Sequence, residues 1–347
     1  MNASVQYGVI ESLLRERMGF GVYSTGTLAG CINRRMQANG MDNEALYVSF
    51  LLSNDLEQEE LVEELIVPET WFFRDYEPFA HLKKFVAEKA HAFTPRTPLR
   101  ALSLPASTGE EPYSIAITLM EAGLTPDRFS VHAVDISRRA LRKSLDGLYG
   151  GPSFREDDLD LRRKYFDKAG SMLLVRPEVR DTVQFTRGNI LKDFAPGSQE
   201  SFDVVFFRNL LIYLDEKSRA IAVRNVERIL KKGGLLVLGY AEPQHLFFPD
   251  FTPVAHPRSY SSLKPLDTGV KKNERCCFAK FEAPTRGFAA GGKKLFNDLH
   301  AMSQPCSEDG HHRQMPSPSM GEAGGQQKLI DTPDEPPPLK AEATTPR

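Results

Sequence analysis

The sequence carries little excess charge of either sign. Across 347 residues, 44 Lys and Arg stand against 46 Asp and Glu, a formal net charge of -2. That balance excludes a general electrostatic coat for nucleic acid, although a local basic patch stays open. No apolar run approaches the roughly 20 residues needed to span a bilayer, so no membrane protein is expected. Cysteine is scarce: Cys31, Cys276, Cys277 and Cys306 form no Cys-x-x-Cys pair and no His-Cys ligand spacing. No metal site is predicted, and reduced thiols in a cytoplasmic chain fit best. Residues 1–8 lack a basic stretch leading into an apolar core, so no signal peptide is expected. The three spaced glycines of a dinucleotide fingerprint are also missing.

What is present divides along the chain. Residues 1–75 read as an all-helical domain. Ile10, Leu13, Leu14 and Met18 share one helical face. Ser24 and Thr25 open a second helix closed by Gly40, Asn43 caps a third, and Leu61, Leu65 and Ile66 mark a fourth, stopped by Pro68. A linking helix falls within 76–97. From residue 98 the rhythm becomes strand then helix, with strands expected at 99–104, 129–134, 183–186, 202–207 and 235–238. A helix opens at Pro112, another is capped by Ser137, and a third over 216–231 ends at the Gly233-Gly234 pair, read as a C-cap. This alternation predicts an α/β fold, a doubly wound, mainly parallel sheet over 98–281. Residues 149–182 interrupt it as an insertion. Residues 275–281 suggest a late edge strand. Beyond 281, Gly, Pro, Ser and Gln dominate and predict a disordered tail over 282–347, with a short helical stretch at 293–302.

Ligands of open α/β sheets bind beyond the carboxyl ends of the strands. The first such end is Pro105-Ala106-Ser107-Thr108-Gly109-Glu110-Glu111. Its small residues let backbone approach a ligand, and its acids suit a cationic group better than a phosphate. The second carries Asp135, 26 positions after Gly109, placed to accept ribose hydroxyls or to help cap the next helix. The third is Phe207-Arg208-Asn209-Leu210-Leu211-Ile212-Tyr213, where Asn209 can fix a polar group and Tyr213 either reaches the cleft or packs as an ordinary aromatic. Gly188-Asn189-Ile190 follows another strand. Outside the sheet, Pro68-Glu69-Thr70-Trp71-Phe72-Phe73-Arg74-Asp75 sets an Arg among aromatics, suited to clamp a carboxylate or to serve as an apolar hinge, with no role given to Asp75. Together these pieces describe a ligand with a ribose, a free carboxylate, a cationic centre and no phosphate. S-adenosylmethionine meets that description better than NAD or ATP.

Ala106-Ser107-Thr108-Gly109-Glu110-Glu111-Pro112-Tyr113-Ser114, Phe72-Phe73-Arg74 and Phe207-Arg208-Asn209-Leu210-Leu211-Ile212-Tyr213 resemble, in order and spacing over about residues 10–280, the CheR-type chemotaxis receptor methyltransferases. The resemblance implies a class I S-adenosylmethionine-dependent methyltransferase sheet with an N-terminal all-helical domain and a small inserted β-subdomain. It implies a protein-glutamate O-methyltransferase acting on the cytoplasmic helical bundle of a methyl-accepting chemoreceptor, with S-adenosylhomocysteine as product and the enzyme a monomer. By matching position, Thr70 and Arg74 contact the methionine moiety, Gly109 and Glu110 reach the cofactor from the first loop, and Asp135 meets the ribose. Asn189 and Ile190 flank the adenine, Asn209 and Leu210 line the pocket, and Tyr213 lies with Arg74 near the sulfonium as the catalytic pair. Pro68 stands where many chemotaxis members carry Asn, and this departure resembles the branch serving Wsp-type surface-sensing receptors. Two other readings stay open: a non-catalytic module that binds S-adenosylmethionine, or a methyltransferase for another protein or a small molecule. Arg15, Arg17, Arg34 and Arg35 offer a face that could dock acidic receptor helices, or an ordinary solvated helix face.

Overall fold

A computed structural model describes residues 3–19, 21, 25–66, 68–155, 159–192 and 199–266. The expected strand at 275–281, the helical stretch at 293–302 and the tail lie outside the described residues, as do Cys276, Cys277 and Cys306.

Four helices come first: α1 (Ala3–Met18), α2 (Thr25–Ala38), α3 (Glu44–Ser53) and α4 (Asp55–Leu65). Asn43 and Asn54 cap α3 and α4, each side-chain oxygen accepting from backbone N–H groups of the first turn. Their apolar faces close on one cluster that includes Ile10, Leu14, Leu28, Ile32, Tyr47, Leu51 and Leu61. One charge is buried there. The Glu57 carboxylate accepts from Arg35 Nε at 2.9 Å and Nη2 at 2.6 Å, and from the Tyr47 hydroxyl at 2.9 Å. The Arg35 side chain is only 13% exposed, and Arg34 pairs with Glu64, Arg17 with Asp55 and Arg15 with Asp215. The four arginines that suggested a docking face are therefore engaged within the chain, and Arg35 is withdrawn into the helical layer.

After α5 (Glu77–Ala87) the sheet begins. In chain order the remaining elements are β1 (Leu99–Ser103), α6 (Glu110–Glu121), β2 (Phe129–Asp135), α7 (Arg138–Asp146), β3 (Leu148–Tyr149), α8 (Leu159–Tyr165), β4 (Phe166–Ala169), β5 (Met172–Val175), α9 (Pro177–Arg180), β6 (Val183–Arg187), β7 (Phe202–Phe207), α10 (Glu216–Ile229), β8 (Leu230–Leu238), α11 (Gln244–Phe247), β9 (Thr252–Pro253) and β10 (Ser261–Leu263). The main sheet runs β6-β2-β1-β7-β8-β10-β9. Its first five strands are parallel, and β10 is antiparallel to both neighbours. This is the expected doubly wound sheet, with the switch point between β1 and β7. Alternate residues feed two cores. Ala101, Val131, Val204, Phe206 and Val237 face one, and Leu102, Val134, Val205, Phe207 and Leu238 the other. Burial on both faces explains why these strands read as continuous apolar runs. A small antiparallel sheet, β3-β5-β4, lies between β2 and β6 in the chain.

Two expectations about local structure change. The helix expected from Pro112 starts at Glu110, directly after Gly109 at φ 97°. Glu110 and Glu111 thus occupy its first turn, where acids complement the helix dipole. The Gly233-Gly234 pair is not a helix C-cap. Helix α10 ends at Ile229, and the strand starts at Leu230 and bulges, so that Phe202 pairs with Leu230 but Val204 with Leu235. A Cβ on Gly234 would lie 2.7 Å from the Lys231 carbonyl oxygen, so the pair serves close backbone packing inside the bulge.

Burial opposes the charged form of Glu57, yet hydrogen bonds from Arg35, Asn39 and Tyr47 outweigh it and hold its carboxyl below the ordinary value. A depressed carboxyl stabilises the fold fully above its unfolded pKa, and that stabilisation is lost as pH falls through the lower folded value. Glu57→Gln is expected to cost about 3 kcal/mol at neutral pH, the scale of breaking a buried pair. Thermal melts should show the mutant deficit shrinking as acid protonates the wild-type carboxylate.

Candidate active site

The segment before α5 is built against the sheet by its own aromatics. Phe72 is buried among Tyr149, Phe154 and Phe166, with ring centroids 4.9–5.0 Å away. Phe73 donates its backbone N–H to Ser114 Oγ at 2.9 Å. Trp71 and Arg74 flank this anchored pair and are themselves partly buried. The Arg74 guanidinium lies 4.6 Å from the Trp71 ring centroid, and Arg155 lies against the same ring at 4.1 Å. Arg74 Nη1 donates to the Glu69 carbonyl at 2.9 Å, while its buried Nε makes no hydrogen bond and lies 4.0 Å from Asp75 Oδ2. Thr70 is half-buried beside them.

The strand ends supply the rest. In the loop after β1, Ser107 takes a left-handed φ of 48° and its N–H donates to Asp135 Oδ2 at 2.8 Å. The other Asp135 oxygen accepts from Ser137 N–H at 2.8 Å, so the carboxylate bridges the loops after β1 and β2. It is 6% exposed, and burial pushes it up against the pull of those two amides. Glu110 is turned toward the insertion, accepting from Thr108 Oγ1 at 2.6 Å and Ser153 Oγ at 2.8 Å. Gly109 is small for a reason the motif did not reveal. A Cβ there would meet the Tyr149 hydroxyl at 2.6 Å, so the missing side chain makes room for protein packing. After β6, the Asn189 side chain donates to the Arg17 carbonyl of α1 at 2.8 Å, and Ile190 is buried in the second core. Asn189 thereby ties the helical layer to the sheet.

After β7, the backbone turns sharply, with Asn209 at φ 58°. One buried carboxylate holds this turn. Glu242 Oε1 accepts from the amides of Leu210 and Leu211, both at 2.7 Å, and Oε2 from those of Asn209 and Gly239, both at 2.8 Å. Burial raises the Glu242 carboxyl while the four amides pull it down. Arg208, just before the turn, is 1% exposed and donates to Glu111 at 3.0 Å, to Asp75 at 2.5 Å and to the Arg74 carbonyl at 3.2 Å. It connects the Phe-Phe-Arg segment to α6 and to the β7 end. Tyr213 is 49% exposed. Burial of its ring raises its hydroxyl pKa, and the Arg74 charge opposes that rise.

The geometry therefore gathers Thr70, Arg74, Asp135, Asn209, Leu210 and Tyr213 around the carboxyl edge of the sheet. Five of the eight left-handed non-glycine residues among the described ones, Phe73, Asp75, Tyr76, Ser107 and Asn209, sit in these same loops. Strained backbone of this kind clusters at ligand sites. Sequence reasoning missed Asp75, Arg208 and Glu242. Glu242 had a readable signal, an acid three residues past Gly239, the glycine that follows β8. Arg208 and Asp75 had none, because their partners are far apart in the chain.

Residues 68–250 match the family described as "CheR methyltransferase, SAM binding domain". The chain belongs to the CheR methyltransferase family. It is 36% identical over 252 residues to "Probable biofilm formation methyltransferase WspC" of Pseudomonas aeruginosa, an alignment covering 72% of this chain and 60% of that protein. It is 35% identical over 218 residues to "Chemotaxis protein methyltransferase" of Salmonella typhimurium, covering 60% of this chain and 73% of that one. The chain thus spans about three fifths of the length of WspC. The family's S-adenosylmethionine-binding domain is the region from the Phe-Phe-Arg segment through α11. Its donors fit that ligand. Buried Arg74 Nε, Ser107 Oγ and Trp71 Nε1 have no hydrogen-bond partner among the described residues, as befits groups that meet a carboxylate or hydroxyl. Each Asp135 oxygen accepts one amide and keeps acceptor capacity for a ribose hydroxyl.

Glu242→Gln presents an NH2 group to two of the four amides it now accepts from. It should lower stability by about 3 kcal/mol, the upper range for a charged hydrogen bond. Denaturant titration at neutral pH checks this, and an unchanged midpoint would contradict the role given to Glu242.

Proposed function

We propose that this chain methylates glutamate side chains on the cytoplasmic helical bundle of a methyl-accepting chemoreceptor, forming methyl esters in a chemotaxis-like adaptation step. The observation that carries the reading is the disposition of Arg74 and Tyr213. Arg74 lies 4.6 Å from the Trp71 ring centroid with a buried Nε that makes no hydrogen bond, and Tyr213 is a half-exposed phenol in the loop after β7 of the family's S-adenosylmethionine-binding domain. The names of the relatives, a chemotaxis protein methyltransferase and a biofilm formation methyltransferase, point to the same class of substrate. Among the described residues no helix is long and apolar enough to cross a membrane. We place the protein in the cytoplasm, where such receptor bundles lie.

Bound S-adenosylmethionine supplies an electrophilic methyl group on a sulfonium centre. The chain's residues do the rest by position. Arg74, 4.6 Å from the Trp71 ring centroid, would pair with the methionine carboxylate, and Asp135 would accept from the ribose hydroxyls. Thr70, Asn209 and Leu210 complete the lining, while Gly109, Glu110, Asn189 and Ile190, engaged in packing and hydrogen bonds within the chain, hold the loops around it. An acceptor glutamate has a reference pKa near about 4.3 and is already ionised at neutral pH, so no general base is required. Tyr213 donates its hydroxyl hydrogen to the acceptor carboxylate and orients one oxygen toward the methyl carbon. Holding the reacting atoms about 3 Å apart is the main catalytic contribution.

The test uses labelled methyl donor, the full chain and receptor fragments, reading base-labile methyl esters. Arg74→Ala is expected to weaken cofactor binding by at least about ten-fold, the scale of one charge-assisted contact. Tyr213→Phe should lower kcat with little change in cofactor affinity. Asp135→Ala should weaken binding as Arg74→Ala does. Cofactor binding without ester formation on any receptor fragment would favour a non-catalytic binding module. Base-stable product would point to a different acceptor.

A further inference from the structure

Helix α4 presents a row of carboxylates to the start of α7. Glu60 and Glu64 pair with Arg139 at 2.5 Å and 3.1 Å, Glu59 and Glu60 with Arg138 at 3.3 Å and 2.9 Å, and Glu59 with Arg187 at 3.2 Å. These are partly exposed pairs of small individual value. Glu63 differs from them. Its side chain is 3% exposed, and its two oxygens meet two donors: the Ser137 hydroxyl at 2.6 Å and the Arg138 backbone N–H at 2.6 Å.

Ser137 stands two residues after Asp135. Its hydroxyl hydrogen is committed to Glu63, which leaves its oxygen free to accept from the Ala140 N–H at 2.9 Å and cap α7. Its own backbone N–H donates to Asp135 Oδ1. An unbroken set of hydrogen bonds thus runs from Glu63 of the helical layer through Ser137 to the Asp135 carboxylate, and on to Ser107 of the first loop. The helical layer also reaches two other strand ends. Asn189 donates to the Arg17 carbonyl, Gly21 N–H donates to the Tyr213 carbonyl at 2.9 Å, and Asp215 N–H donates to the Gly19 carbonyl at 2.9 Å.

We propose that Glu63 is a positioning residue for the cofactor site, setting the orientation of Asp135 through Ser137. The helical layer then does more than cover the sheet: it fixes the geometry with which the ribose is read. The inference rests on the ribose role given to Asp135. A mere fastener between α4 and α7 would act on stability alone, and the neighbouring Glu64 provides that comparison.

The experiment is calorimetric titration of the full-length protein, as Glu63→Gln and Glu64→Gln, with two probes: S-adenosylhomocysteine and its 2′,3′-dideoxyribose analogue. Glu63→Gln keeps the side-chain shape but leaves one of the two donors without an acceptor. It should weaken S-adenosylhomocysteine binding about five-fold, the scale of one hydrogen bond, and leave the analogue's affinity unchanged. Glu64→Gln should change neither. If Glu63→Gln does not fold, Ser137→Ala removes the same link and carries the same expectation. Wild-type affinity for both probes, or an equal loss for both, overturns the inference. Asp135→Ala separates the two layers of argument. If it weakens S-adenosylhomocysteine binding while Glu63→Gln does not, only the positioning role falls. If Asp135→Ala is itself silent, the ribose reading falls.

Discussion

The site depends on one buried guanidinium. Arg208 ends β7 at the switch point of the sheet and is almost wholly removed from water, with Glu111 of α6 on one side and Asp75 on the other. Taking such charges out of water is expensive, and replacing a buried pair by apolar groups is often neutral or better for stability. What this arrangement supplies is geometry. Asp75 belongs to the segment that displays Arg74, Glu111 to the helix that follows the first loop, and Arg208 itself leads into the Asn209 turn. Three pieces of chain that share no secondary structure are held in register by one side chain with a rigid fork of donors.

A second carboxylate does similar work without a cationic partner. Glu242 gathers four backbone amides, three of them from the turn after β7. These amides have no strand or helix to satisfy them, and a buried amide left without an acceptor is costly. The strained backbone at Asn209 persists because Glu242 over-determines it. Asp135 follows the same pattern with two amides, from the loops after β1 and β2. The cofactor edge is thus organised by buried acids reaching main chain. This explains why the loops can be short of glycine and still hold unusual conformations.

The helical layer is part of that organisation. Its arginines look like a cationic face in the sequence, yet Arg34 and Arg35 turn to α4, and Arg15 and Arg17 also find carboxylates of the chain. The acids of α4 in turn reach α7 and Arg187. Much of the near-neutral overall balance is consumed in these contacts between the helices and the sheet.

Local pattern carried the architecture. The apolar strands, the Asn43 and Ser137 caps and the alternation of strand and helix follow from short-range physics: period, capping and the limits on Pro and Gly. The loop motifs likewise marked Arg74, Asp135, Asn209 and Tyr213, because polar residues at strand ends are legible without a fold. The Gly233-Gly234 pair was misread, since a glycine pair after a helix and one inside a bulged strand look alike until the partner strand is known. Tertiary structure alone decided what holds those residues. Arg208 lies 97 positions from Glu111, and Glu63 lies 74 from Ser137. Such pairings are set by how the layers stack, and no local period or spacing encodes them. The sequence by itself marked Arg74, Asp135, Asn209 and Tyr213 at loops and strand ends; only the packed fold decided the directions in which they point and that Asp75, Arg208 and Glu242 hold the loops that carry them.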